Sequence, residues 1–272
     1  MKWTKRTAAL LAALLLLPTA ARAGGAYKAP PREERTILDS RLAPPGEAKD
    51  PAKLPELTVV TPEPAREPEG PSFPEGEDWQ LLLANPWNEI PEDYEVTLKT
   101  LPDGMKVDER AYDDLTAMLQ ACRDAGLAPK ICSAYRTMAK QTYLYNNKIA
   151  RLRNAGYSKK AAQEEAGRWV ARPGTSEHQL GLAVDIVSSS YQALTKKQEK
   201  TAEQKWLMEH CWDYGFILRY PNDKSEITGI GYEPWHYRYV GVEIAQDVRE
   251  SGLCFEEYLL LREETLSAET PL

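Results

Sequence analysis

The feature that most constrains this chain is where its prolines lie. Eleven of the twenty fall between residues 24 and 76. Proline fixes φ and removes a backbone donor, so helix interiors and central strands exclude it. The stretches "PPREER", "APPGEAKDPAK" and "TPEPAREPEGPSFPEGE" add charge and offer few apolar side chains. Such a segment cannot bury enough apolar surface to offset its ordering entropy. Residues 24–76 therefore read as a disordered, semi-extended linker. It either holds a domain off a surface or is a tail without a partner. The globular part is left to residues 77–272, beginning near "EDWQLLLANPWNEI", which is long enough for a single good core.

The first 23 residues read differently again. Lys2, Lys5 and Arg6 precede an apolar run from Ala8 to Leu17, and "ARA" ends at Ala23. A charged start, a short apolar core and a small-x-small site mark a cleaved signal peptide. The apolar core is about ten residues, against roughly twenty needed to span a bilayer. No later stretch is apolar enough to span one. The expected location is outside the cytoplasm: extracellular, cell-wall-associated or periplasmic.

Cleavage after Ala23 removes four positive charges (Lys2, Lys5, Arg6, Arg22) and no negative ones, so the net charge of −7 becomes −7 − 4 = −11. That acidity argues against nucleic-acid partners. The four cysteines fit export as two disulfides. Cys122 and Cys132 are local to one another and are the expected pair, which leaves Cys211 with Cys254. A four-thiolate zinc site is the rival, but no pair has the short spacing such sites use.

After residue 77 the periodicity is mixed. "DERAYDDLTAMLQACRDAGL" places Ala111, Leu115, Met118, Leu119 and Cys122 on one helical face and ends at Gly126. "MAKQTYLYNNKIARLRNAG", "KKAAQEEAGRWVA", "EQKWLMEHCWDYGF", "VEIAQDVRESG" and "FEEYLLLREE" read as further helices. "LGLAVDIV" and "WHYRYVG" read as strands. Helices flank a few strands without regular βαβ alternation, so the expected class is α+β.

The chain has three histidines, and two stand in suggestive places. "SEHQLGLAVDI" holds His178 and Asp185. Donors to one zinc ion each sit about 2 Å from it, hence roughly 3–3.5 Å from one another. Seven residues span about 10.5 Å of helix or about 23 Å of strand, so the chain must turn back between them. Gly181 supplies the place for a bend or bulge. Asp185 then lies in a strand whose Leu182, Val184 and Ile186 face the opposite way, toward the core. An aspartate there needs a partner for its charge. A salt bridge or cap would serve as well as a metal. "GYEPWHYRYVG" adds His236, with Glu233 three residues earlier and Pro234 breaking any helix. His178, Asp185 and His236 make a three-donor set that leaves a position for water, as catalytic zinc requires. Glu233 is placed to act as general base on that water. His210 reads as an ordinary helix residue.

These residues carry a resemblance. "SEHQLGLAVDI" fits S-x-H-x-x-G-x-A-x-D and "EPWHYRYVG" fits E-x-W-H, with "SAYRTMAKQ" before both and "GFILRYP" between them. Over residues 95–261 the chain resembles the zinc D,D-carboxypeptidases of bacterial cell walls. That family includes enzymes of vancomycin-resistance systems and related L,D-carboxypeptidases. The resemblance implies one zinc ion per chain, held by His178, Asp185 and His236, with Glu233 as base. It implies that Arg136 faces the substrate carbonyl or carboxylate, that Gln141 helps hold the peptide terminus, and that Ser176 contacts substrate near the metal. It implies a small antiparallel sheet carrying the zinc site, with helices outside. The expected substrate is a peptidoglycan stem peptide or its precursor, from which the C-terminal D-alanine is removed by a chain acting as a monomer. Two alternatives stay open: an endopeptidase of wall cross-links, and a non-catalytic wall-binding module that keeps the zinc fold.

Overall fold

The computed structural model describes residues 79–269. The expected signal peptide and linker lie outside them. A 3-10 turn at Trp79–Leu81 precedes a hairpin of β1 (Leu98–Thr100) and β2 (Lys106–Asp108). Then follow α1 (Tyr112–Asp124), β3 (Pro129–Ser133), α2 (Met138–Asn154), α3 (Lys159–Gly167) and β4 (Ala183–Ser188). The chain continues through α4 (Ala202–His210), β5 (Phe216–Leu218), α5 (Ser225–Thr228), β6 (His236–Tyr239), α6 (Val242–Ser251) and α7 (Phe255–Glu269). Strands β3, β4, β6 and β5 form one sheet in that order, every pair antiparallel. The class is α+β, as the sequence implies.

Local chemistry starts three of the helices alike. Thr137, Ser158 and Thr201 are extended N-cap residues, and their hydroxyls accept the amides of Lys140, Ala161 and Gln204. Each satisfies a donor that the first helical turn leaves free.

The pleat then sorts the sheet into two faces. Leu182, Val184 and Ile186 of the β4 segment, with Tyr237 and Tyr239 of β6, enter a core shared with Leu115, Met118 and Leu119 of α1. Full burial of such a side chain contributes about 1.5–3 kcal/mol. A second core joins Ile217 and Val240 to Ile244 and Val248 of α6 and Phe255 and Leu259 of α7. Period-two alternation turns Asp185, His236 and Arg238 to the face away from α1. No helix among the described residues is long and apolar enough to cross a membrane.

The structure departs from the sequence expectation in three places. "EQKWLMEHCWDYGF" is not one helix: α4 stops at His210, Cys211–Tyr214 tighten into a 3-10 turn, and Gly215 at φ 75° turns the chain into β5. Pro129–Ser133 form an edge strand, β3, that the sequence reading did not assign. The expected disulfides, Cys122–Cys132 and Cys211–Cys254, are absent: all four cysteines are free thiols. An irregularity in β3 bears on the first pair. Ile131 packs into the α1 core and Ser133 pairs with Asp185, so the register shifts at Cys132, whose Sγ donates to the Asp185 carbonyl at 3.4 Å. Cys122 lies buried on α1. Cys211 is packed into the core beside α1, whereas Cys254 precedes α7 and its amide donates to Glu257 Oε2 at 2.9 Å. Burial pushes the Cys122 thiol up to about 11 and Cys254 to about 12, which keeps both unreactive.

Candidate metal centre

Strand register assembles the site. Asp185 of β4 is the direct partner of His236 on β6 on one side and of Ser133 on β3 on the other. His178 arrives from a 3-10 turn, Glu177–Leu180, which ends at Gly181 in the left-handed region at φ 77°. A Cβ on Gly181 would stand 2.9 Å from the Asp108 amide nitrogen. Only glycine accepts both that φ and that approach. The bend foreseen between His178 and Asp185 is therefore a turn closed by glycine.

The result is a group of donors on one face. One donor atom each from buried His178, Asp185 and His236 lies within 4.8 Å of the others. Asp185 Oδ2 is 3.3 Å from His178 Nε2, and its Oδ1 is 3.1 Å from His236 Nδ1. Each donor is held from behind. His178 Nδ1 lies 2.8 Å from the Ala134 carbonyl, which can only accept, so that nitrogen carries the proton and Nε2 presents its lone pair. Arg136 donates from Nη2 to Asp185 Oδ2 at 2.6 Å and from Nε to Ser133 Oγ at 2.8 Å. Two imidazole nitrogens and one carboxylate, buried and oriented, form a donor set that suits zinc.

Electrostatics follow from burial and neighbours. Burial, joined by the charge of Arg136, pushes His178 down to about 4. Burial opposes the charge on Asp185, but His178 and Arg136 hold its carboxyl well below the usual range. Burial also opposes charge on His236, yet hydrogen bonds to Asp185 and Glu177 outweigh it and lift the ring to about 9. Glu233 Oε2 stands 3.8 Å from His236 Nδ1, outside the three-donor group, and burial raises its carboxyl to about 8.

The other expected site residues fall around this centre. Arg136 keeps 16% of its side chain exposed. Gln141 is wholly buried behind it: its amide donates to the Ala171 carbonyl at 2.7 Å, and its oxygen accepts from Arg136 Nη1 at 3.5 Å. Gln141 thus touches Arg136. Ser176 is buried at the start of the 3-10 turn, where its side chain makes no capping hydrogen bond. His210 lies outside the centre, 3.9 Å from Asp213.

Residues 104–242 match the family described as VanY, D-alanyl-D-alanine carboxypeptidase. The chain belongs to the VanY family. A relative, the D-alanyl-D-alanine carboxypeptidase of Enterococcus faecalis, is 45% identical over 183 residues, 67% of this chain. The chain spans 66% of that relative's length, just under two thirds. Among solved structures, VanYB in complex with D-alanine-D-alanine aligns with TM-score 0.62 at 45% identity, covering 66% of this chain and 97% of that one. A mutant of the vancomycin resistance D,D-pentapeptidase VanY in complex with Zn(II) aligns with TM-score 0.61 at 45% identity, covering 66% and 99%.

The VanY centre here has neighbours that the sequence reading missed. Glu177, one residue before His178, places Oε2 3.3 Å from His236 Nε2. Its Oε1 accepts from Arg219 Nε at 2.6 Å and from Arg238 Nη1 at 2.9 Å. Both guanidinium groups are wholly buried. A signal was present: Arg219 in "GFILRYP" and Arg238 in "WHYRYVG" stand among apolar and aromatic residues, where a charge demands a partner.

Proposed function

We propose that this chain is a zinc-dependent carboxypeptidase that removes the C-terminal D-alanine from peptidoglycan stem peptides or their precursors, outside the cytoplasm. The observation that carries the reading is the convergence of His178, Asp185 and His236 within 4.8 Å, with Glu233 beside but outside the donor group. The signal-like first 23 residues support export. The likeness to VanYB with D-alanine-D-alanine and to a D,D-pentapeptidase supports a D,D substrate over an L,D one.

His178 Nε2, Asp185 and His236 Nδ1 would hold one zinc ion. When bound, zinc supplies the positive charge that lowers the pKa of water toward about 7 and polarises the scissile carbonyl. Glu233, within reach of that position, takes the proton as water attacks and passes it to the departing amine of D-alanine. Arg136, aimed at the same point and partly exposed, holds the developing oxyanion or the substrate carboxylate with its planar fork. Gln141 fixes the guanidinium plane from behind. Ser176 lies close in the chain to His178, where a peptide bound at the metal would pass.

Mass spectrometry of defined wall peptides after incubation with the purified protein tests this reading. A pentapeptide should lose one terminal alanine, and chelation should abolish the loss. Internal cleavage of cross-linked peptides would replace the reading with an endopeptidase. No cleavage by zinc-loaded protein would leave a binding module.

A further inference from the structure

Glu177 stands between a metal-binding histidine and the C-terminal helix. We propose that Glu177 is a positioning residue for the metal site, and that α7, through Glu256 and Arg219, takes part in holding the metal. The proposal rests on the zinc reading of His178, Asp185 and His236.

The contacts run without a gap. His236 Nε2 meets Glu177 Oε2 at 3.3 Å. Glu177 Oε1 is occupied by Arg219 at 2.6 Å and Arg238 at 2.9 Å, so the carboxylate cannot swing away from the ring. Arg219 grips Glu256 with two nitrogens, at 2.8 and 2.6 Å. Glu256 lies in the first turn of α7, and Asn85 donates to it at 3.2 Å. Arg238 also donates to the Gln80 and Leu82 carbonyls at 2.9 and 2.8 Å. Two cations and two carboxylates balance one another, so removing any one leaves a buried charge without its partner.

Glu177 accepts at His236 Nε2, which leaves Nδ1 as the donor directed toward Asp185 and the metal position. The 3-10 turn that delivers one metal donor, His178, therefore also orients the other. Because Arg219 divides its hydrogen bonds between Glu177 and Glu256, loss of the α7 carboxylate frees Arg219 to shift and loosens Glu177.

Zinc affinity measured by chelator competition on the whole chain, beside melting temperature, tests this. Glu177→Gln should weaken zinc by about 10–100-fold, the usual cost of an outer partner of a ligating histidine. Glu256→Gln, which touches no ligand, should weaken it in the same direction. Leu259→Ala, in the second core on α7, should lower the melting temperature and leave zinc affinity unchanged. If Glu256→Gln behaves like Leu259→Ala, α7 has no part in the site. If folded Glu177→Gln keeps wild-type affinity, Glu177 positions nothing. Should Glu177→Gln fail to fold, nitrogen NMR of the zinc-loaded protein decides. With three histidines in the chain, the His236 Nε2 proton should be resolved and protected from exchange. A freely exchanging proton there overturns the proposal. A wild-type protein that binds no zinc defeats the zinc reading itself, a different failure from either of these.

Discussion

Asp185 and Glu233 are both buried carboxylates beside His236, yet substitution should separate them. Asp185 Oδ1 faces His236 Nδ1 at 3.1 Å within the donor group, whereas Glu233 stands off at 3.8 Å. Glu233→Gln should retain zinc and lose roughly 10²–10⁴ in turnover, the range for a missing general base. Asp185→Ala should lose zinc and activity together. Metal content measured beside kcat distinguishes them, and zinc loss from Glu233→Gln would make Glu233 a ligand. The donors were legible in the sequence because a polar residue amid apolar neighbours must be paired. That argument found Asp185. Applied equally to Arg219 and Arg238, it would have demanded a carboxylate partner without naming Glu177, whose side chain looks like any surface glutamate until a fold buries it. Gln141 shows the opposite limit: no one-dimensional pattern says that its amide ends against Ala171 and Arg136.

At the level of elements, long amphipathic helices and the β4 and β6 segments were readable, because several periods of side chains repeat the same message. Strands of three residues, such as β1, β2 and β5, contain too few alternations to announce themselves. The hinge at Gly181 was readable as a need for a bend, and it carries a prediction. Gly181→Ala must take a left-handed conformation and push against the Asp108 backbone, costing about 1–3 kcal/mol. The melting temperature should fall by roughly 2–4 °C per kcal/mol, and zinc affinity should fall with it as His178 is displaced. Unchanged melting would show that the turn tolerates a side chain. Spacing alone misjudged the cysteines, because it says nothing about where the fold places each thiol. Alkylation of protein unfolded without reductant should modify all four cysteines, with mass spectrometry as the readout. Two or fewer modified residues would restore the disulfides.

Across the whole molecule, the site depends on contacts distant in sequence. Asp185 and His236 are 51 residues apart and meet only when β6 docks beside β4. Closing so long a loop costs entropy before any metal can repay it, since the cost grows with loop length. In this arrangement the ion arrives late: an unfolded chain offers it scattered donors, and the chelate forms once the central strand pair exists. Zinc should then leave the refolding rate nearly unchanged and slow unfolding instead, as interactions absent from the folding transition state do. Stopped-flow refolding with and without zinc checks this, and acceleration by the metal would mean that the ligands meet early. The paired strands thus give the protein an order of assembly, scaffold first and ion last, in which the metal acts as a latch on a finished structure.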